Sequence, residues 1–318
     1  MLNLFEEIKN ANSIAISGHV RPDGDCVGST LAIWNYAKDK FPEKQCDVYL
    51  TQPMPTMFSF LSGYSEIKYE YKASEYDLLI VCDCNNVSRL DVHEAISEHA
   101  KRIIRIDHHE DSPVQQHFDE TYANPKGSST CELVYELIGD EDVTKEIAEC
   151  IYTGIVHDTG VCQYDCCHKS TMIVAGNLME KGIDTNYIID ETYYRKTFVQ
   201  TRIMGRALAK AKLHEKGEFI STVITLKEMH EENASSKHMD GIVNQLRITK
   251  GTRIAIFLYE TAPGEYKCSL RNNDDTDLNK VANAFGGGGH KKAAGFQSDL
   301  SSEEIIKRVI EEVRKQDV

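Results

Sequence analysis

The sequence predicts an α/β protein: an N-terminal domain on a parallel sheet, a helical linker, and a smaller C-terminal α/β domain. Three observations carry this. Residues 13–18 (SIAISG), 77–83 (DLLIVCD) and 102–107 (RIIRID) are apolar runs without alternation, as in strands covered on both faces. Amphipathic helical spacing accompanies them over 28–39, 129–138, 144–156 and 169–181. After a helical connection at 184–213 the character changes, with strand-like runs at 218–226, 252–260 and 265–271 and a Pro263-Gly264 turn. A helix at 276–284, a glycine run and a final helix at 302–315 close the chain. The domains are therefore expected at 1–190 and 215–318, joined by a linker at 191–214.

Composition narrows the function. The chain has 318 residues, 41% hydrophobic and 27% charged, with a net charge of −14. Each domain is long enough to bury its own core. No run approaches the roughly 18 apolar residues of a membrane span, so no membrane partner is expected. The segment MLNLFEEIKN lacks the basic and apolar regions of a secretory signal. Ten cysteines without an export signal suit reduced thiols in a cytoplasm. The acidity argues against coating long nucleic acid. Its distribution is uneven: residues 1–200 hold 17 Lys and Arg against 33 Asp and Glu, residues 201–318 hold 19 against 17. A solvated acidic face explains this, and so does a set of carboxylates gathered around cations.

The motifs choose between these. Three of the strand-like runs end in Gly18-His19, Asp83 and Asp107-His108-His109, and in open α/β sheets ligands sit outside the carboxyl ends of the strands. GHVRPDGDCVGS (18–29) packs His19, Asp23 and Asp25 into one turn between a strand and a helix. One Asp there could cap the helix, but two carboxylates and an imidazole within seven residues are harder to explain as capping, and like charges so close repel unless a cation holds them. Asp83 stands between Cys82 and Cys84, a spacing poorly suited to zinc, and by itself reads equally as a turn residue. In Asp107-His108-His109 one imidazole can bind metal while a neighbouring carboxylate sets a ring tautomer. Asp158, in GIVHDTGVCQY (154–164), falls at a helix C-terminus, where the dipole disfavours an unpaired carboxylate. His157 beside it is an alternative ligand.

His19, Asp23, Asp25, Asp83, His108 and Asp158 form an imidazole–carboxylate set without thiolate, which suits Mn²⁺, or Mg²⁺, better than structural zinc. Six ligands exceed one site and point to two ions about 4 Å apart, as in phosphoester hydrolysis. In the C-terminal domain, AFGGGGHKKAAGF (284–296) reads either as a flexible linker or as a backbone cradle for an anion. It matches neither GK[ST] nor GxGxxG. Arg271 is either a bidentate phosphate contact or a surface strand end.

Taken together, GHVRPDGD, the strand end at Asp83, DHH at 107–109, HDTG at 157–160 and GGGGHKKAAG resemble the DHH phosphoesterase superfamily and its associated C-terminal substrate domain. Within it the chain is similar to the bifunctional oligoribonuclease and PAP phosphatase (nanoRNase) group. The resemblance implies His19, Asp23 and Asp83 on one Mn²⁺, and Asp25, Asp83, His108 and Asp158 on the other, with Asp83 bridging. It makes Asp83, His108 and His109 the catalytic residues, His109 facing the scissile phosphate. Arg271, Gly288, Gly289 and His290 would grip a terminal phosphate, with the active site between the domains. Two positions depart from the family's pattern: His157, where Thr is frequent, and Cys162, where an aromatic is frequent.

The expectation is thus a cytoplasmic, Mn²⁺-dependent hydrolase of very short RNA, linear dinucleotides such as pApA or pGpG, or PAP. Its rivals are a long-strand exonuclease or pyrophosphatase of the same superfamily, and a non-catalytic nucleotide sensor. Substrate ranking and oligomeric state are not legible.

Overall fold

Uninterrupted apolar runs become the inner strands of a parallel sheet. The computed structural model describes residues 2–72, 74–110 and 118–317, and the chain divides into two units, 1–195 and 196–318. The first unit runs α1 (Leu4–Asn10), β1 (Ser13–Gly18), α2 (Gly24–Lys40), β2 (Gln45–Tyr49), β3 (Leu78–Cys82), α3 (Glu94–Glu98), β4 (Ile103–Asp107) and β5 (Glu120–Ala123). It continues with α4 (Thr130–Ile138), α5 (Lys145–Asp158), α6 (Lys169–Glu180) and α7 (Thr185–Ile189). The sheet order is β2-β1-β3-β4-β5, and every pairing is parallel.

β1, β3 and β4 are the three strands read from sequence, and they are the interior of the sheet. Ile14, Ile16, Leu78, Ile80, Ile104 and Ile106 pack into one core with Val27 and Leu31 of α2, Leu133 of α4 and Ile151 of α5. Each such side chain contributes roughly 1.5–3 kcal/mol on full burial. The edge strands β2 and β5 carry no apolar run, only QCDVY and ETYA, and escape a reading based on such runs. Helix α2 starts at Gly24 rather than at residue 28, because Asp23 caps it by accepting the N–H groups of Asp25 and Cys26. The chain leaves β1 for β2 on one side and returns to β3 on the other, so the strand order reverses beside β1. At such a reversal the carboxyl ends of the strands open a crevice.

The second unit comprises α8 (Phe198–Ala209), β6 (Lys212–His214), β7 (Phe219–Ile224), α9 (Leu226–Glu231), α10 (Ile242–Arg247), β8 (Ile254–Ala262) and β9 (Glu265–Asn272). α11 (Leu278–Asn283), β10 (Gly288–Gly289), β11 (Ala293–Ser298) and α12 (Ser302–Arg314) complete it. Its sheet, ordered β10-β11-β9-β8-β7-β6, is mixed: only β7 and β8 pair in parallel. Ile305, Val309 and Val313, one face of α12 at intervals of four, pack on Phe219, Ile256 and Leu270. In the stretch 191–214, Ile203 and Ala207 of α8 join a core of this unit with Ile220 and Phe257, and β6 joins its sheet.

The glycine run is ordered rather than a linker. Gly288 and Gly289 pair with Gly295 and Ala294, and the His290 N–H donates to the Ala293 carbonyl at 2.7 Å. A Cβ on Gly287 would overlap the Gly295 carbonyl, one on Gly289 would lie 2.5 Å from the Ala293 carbonyl oxygen, and one on Gly295 would lie 2.8 Å from that of Cys268. Close backbone approach within the sheet therefore accounts for these three glycines.

Candidate metal centre

Three strand ends deliver the polar residues to one place. His19 follows β1, Asp83 follows β3, and Asp107 ends β4 with His108 and His109 directly after it. Asp25 enters on the first turn of α2, and Asp158 is the last residue of α5. Asp83 lies at the middle: its carboxylate is 3.2 Å from His19 Nε2, 3.6 Å from His108 Nε2 and 3.3 Å from His109 Nδ1. His108 Nε2 lies 3.0 Å from Asp158 Oδ2 and 3.8 Å from Asp25 Oδ2, and His19 Nε2 lies 3.8 Å from Asp23 Oδ1. All six sequence-derived ligands thus come together, joined through Asp83 and His108.

The surroundings aim these groups. His19 Nδ1 is 2.7 Å from the Val20 carbonyl, so in the neutral ring the proton belongs on Nδ1 and the Nε2 lone pair faces the carboxylates. His108 Nδ1 faces the Gly127 carbonyl at 3.4 Å, with the same consequence. His108 Nε2 is buried and makes no hydrogen bond of acceptable geometry, although Asp158 is close. An orphaned imidazole nitrogen ringed by carboxylates is what a cation site presents. Asp25, fully buried, accepts the N–H groups of Thr130 at 2.7 Å and Cys131 at 2.9 Å, so the N-terminus of α4 supports its charge. The Thr130 hydroxyl donates to Asp83 Oδ1 at 3.2 Å.

The clustered groups shift one another's pKa values. Burial opposes charge on His19, but Asp23 and Asp83 outweigh it and lift its pKa to about 10. Burial likewise opposes His108, which Asp158, Asp25 and Asp83 lift to about 9. Asp107 and Asp83 lift His109 to about 10. Burial, then the charges of Asp158 and Asp83, push Asp25 well above the carboxylate range, and burial pushes Asp158 up to about 6. Asp83 goes the other way: burial opposes its charge, yet His109 and His19 hold it well below the usual range. The donor set, two imidazoles and four carboxylates, fits divalent ions of the Mn²⁺ or Mg²⁺ kind.

Three expectations are refined. Asp23 caps α2 and lies 3.8 Å from His19 Nε2, but it stands outside the donor clusters. His157 packs edge-on against Phe58 and Tyr193, with ring centroids 5.1 and 6.2 Å away, rather than joining the donor clusters. Cys26, unforeseen, places its sulfur with His19 and Asp83, but burial pushes its thiol well up, which keeps the proton on it.

Sequence reasoning also missed Arg105. It is buried beside Asp107, its Nε and Nη2 both 3.0 Å from Asp107 Oδ2, while Asp107 Oδ1 accepts from the His109 backbone and lies 2.8 Å from His109 Nδ1. Residues i and i+2 of a strand share a face, so Arg105 and Asp107 could have been paired from the RIIRID run alone. In the second unit, Arg271 of β9 stands in register with Ala293 of β11, one strand from Gly288 and Gly289. Its Nη1 donates to the Leu270 carbonyl at 2.9 Å. Lys291 reaches Asp275 at 3.1 Å and Lys292 the Asp274 carbonyl at 2.7 Å, which pins the turn that carries His290.

The N-terminal domain of the DHH family matches residues 13–155, and the DHHA1 domain matches residues 217–316. The chain is 28% identical over 297 residues to the bifunctional oligoribonuclease and PAP phosphatase NrnA of Bacillus subtilis, covering 92% of this chain and 91% of that one. It is also 28% identical over 321 residues to the NrnA of Thermus thermophilus, at 99% and 94% coverage. A crystal structure of an exopolyphosphatase-related protein from Bacteroides fragilis superposes with a TM-score of 0.88 at 28% identity, covering 98% of this chain and 94% of that one. Among the described residues no helix is long and apolar enough to cross a membrane.

Proposed function

Because the chain consists of a DHH-family N-terminal domain and a DHHA1 domain, we propose that it is a phosphoesterase that hydrolyses very short oligoribonucleotides, linear dinucleotides such as pApA or pGpG, or the 3′-phosphate of PAP. The relatives named oligoribonuclease and PAP phosphatase support the substrate class. The observation that carries the chemistry is the convergence of His19, Asp23, Asp25, Asp83, His108 and Asp158 from separate elements, with Asp83 and His108 linking them. Residues 1–190 would be the catalytic domain and 215–318 the substrate-gripping one, with 191–214 between them.

His19, Asp23 and Asp83 would hold one Mn²⁺, and Asp25, Asp83, His108 and Asp158 the other; Mg²⁺ fits the same donors. Bound ions supply positive charge that acidifies water and neutralises phosphoryl oxygens. The chain's own work is positioning. The α4 N-terminus and Thr130 hold Asp25 and Asp83 still, and the Arg105–Asp107 pair fixes the ring of His109. Oriented by Asp107, His109 would face the phosphoryl group and donate to it as charge develops. Arg271, Gly288, Gly289 and His290 would grip a terminal phosphate. Free thiols at all ten cysteines suit the reducing cytoplasm.

Product analysis with Mn²⁺ on PAP, pApA, a pentanucleotide RNA and a long single-stranded RNA tests the reading. Selective turnover of the short substrates, lost in Asp83→Ala, is expected. Comparable cleavage of the long strand would mean an exonuclease instead, and nucleotide binding without any product would mean a sensor.

A further inference from the structure

Glu132 is a buried carboxylate that the proposed chemistry leaves unused. It stands on the first turn of α4, three residues after the N-cap Ser129, whose hydroxyl accepts the Glu132 N–H at 3.1 Å. Ser129-x-x-Glu132 has the spacing of a capping box, in which the glutamate would accept the N–H of the cap residue itself. Here the carboxylate reaches one residue further back. Its Oε2 accepts the Ser128 N–H at 3.1 Å and the Ser128 hydroxyl at 2.5 Å. The same oxygen accepts the Thr171 hydroxyl of α6 at 2.9 Å. Burial opposes its charge, yet hydrogen bonds from Ser128, Ser170 and Thr171 hold its pKa below the usual carboxylate range. All of these donors are neutral, and a charge buried on neutral donors is costly.

The segment it grips is the one that supports the metal centre. The Gly127 carbonyl faces His108 Nδ1 at 3.4 Å. The N–H groups of Thr130 and Cys131 donate to Asp25 at 2.7 and 2.9 Å, and the Thr130 hydroxyl donates to Asp83 Oδ1 at 3.2 Å. Residues 127–131 therefore touch His108, Asp25 and Asp83, three of the six candidate ligands. Ser128 lies between Gly127 and Thr130 in the chain, so a shift of its backbone disturbs the contacts on either side of it.

We propose that Glu132 is a positioning residue for the metal centre: by clamping Ser128 to α4 and α6 it fixes the segment that orients His108, Asp25 and Asp83, and so sets divalent-ion affinity. The proposal rests on the reading of those three residues as metal ligands, and it adds a determinant of affinity that acts through Ser128 rather than on the ions. Glu132→Gln keeps the shape of the side chain and removes its charge. Hydrogen bonds to an ionised acceptor are roughly twice as strong as neutral ones, so the clamp on Ser128 loosens. Groups bonded directly to a ligand typically change metal affinity by roughly 10–100-fold when they are removed. Glu132 acts one step further out, and a smaller, several-fold effect follows.

The test measures Mn²⁺ affinity by calorimetric titration, and stability by urea unfolding of the metal-free protein, in the full-length chain. Glu132→Gln and Ser128→Ala both weaken the clamp on the segment. Thr171→Ala removes the bond to α6, leaves both Ser128 bonds in place and serves as the control for a purely structural loss. A several-fold loss of Mn²⁺ affinity in Glu132→Gln and Ser128→Ala is expected, with Thr171→Ala less stable than wild type but unchanged in affinity. Wild-type affinity in Glu132→Gln would overturn the proposal. So would an equal loss of affinity in Thr171→Ala, which would make the carboxylate a general support of the fold. Should Glu132→Gln fail to fold, Ser128→Ala decides by the same criterion. Wild-type protein that binds no Mn²⁺ would refute the metal reading and this proposal with it, whereas wild-type binding that the variants leave untouched refutes the positioning role alone.

Discussion

Replacing Gly154 on α5 by alanine sets two effects of opposite sign against each other. In an unobstructed helix interior the change stabilises by roughly 1 kcal/mol. Here the added Cβ would overlap Cys131 Sγ and lie 2.7 Å from Asp25 Oδ1 and 2.9 Å from Cys131 Cβ. Neither neighbour has room to yield: both are fully buried, and Asp25 is bonded to the backbone of Thr130 and Cys131. Overpacking costs about 1–3 kcal/mol, and several simultaneous overlaps place this case in the upper half of that range. After the helix gain, a net loss of about 1–2 kcal/mol remains. Asp25 is also displaced, so Mn²⁺ affinity falls with stability. Urea unfolding of the metal-free protein measures the first quantity and calorimetric Mn²⁺ titration the second. Adding Cys131→Ala removes the worst overlap, and a double-mutant cycle should show positive coupling between the two sites. An unfolding midpoint at or above wild type would refute the packing argument and leave propensity in charge.

The other outcomes are more direct. Asp83→Ala removes the one carboxylate among the described residues that lies within 3.6 Å of all three imidazoles and should abolish product release, whereas wild-type turnover would sink the two-ion arrangement. Chelation should stop turnover and lower the thermal midpoint, with Mn²⁺ at a hundred times its Kd restoring about 2.7 kcal/mol; a midpoint indifferent to both would exclude a resident ion. Arg105→Met leaves the carboxylate of Asp107 buried without its cation and should cost about 3–5 kcal/mol in urea unfolding. His290→Ala should raise KM for short substrates while Mn²⁺ affinity stays unchanged, and a loss of kcat alone would reassign it.

What was legible in the sequence depended on how locally each feature is encoded. β1, β3 and β4 announce themselves because interior parallel strands are apolar on both faces, and their ends carry the site. β2 and β5, at the edges, tolerate Gln45, Asp47, Glu120 and Thr121, so no apolar run marks them. The start of α2 was hidden because Gly24 and Asp25 look like turn residues until Asp23 is seen to cap them. The support of Asp25 by α4 joins residues 105 and 106 positions apart and has no local signature at all. The glycine run was open to two readings. Its composition suits a linker, but its small residues serve backbone crossings between β10, β11 and β9.

The acidity of the N-terminal part has a different origin from its metal chemistry. Residues 1–200 carry 33 Asp and Glu against 17 Lys and Arg, yet among the described residues the candidate centre draws on Asp23, Asp25, Asp83 and Asp158, with Asp107 neutralised by Arg105. Many of the rest pair on the surface, as Asp47 does with Lys68, Asp77 with Lys101 and Glu7 with Arg102, and such pairs contribute little to stability. The remainder leaves residues 1–200 net negative beyond what the candidate centre uses. A long polyanion derives affinity from many phosphates meeting basic groups at once, and residues 1–200 hold 33 Asp and Glu against 17 Lys and Arg. A substrate of a few nucleotides brings few phosphates beyond the one at the centre. The proposed preference for short substrates therefore needs no wall at the end of a groove; the net negative charge of this stretch already acts in that direction.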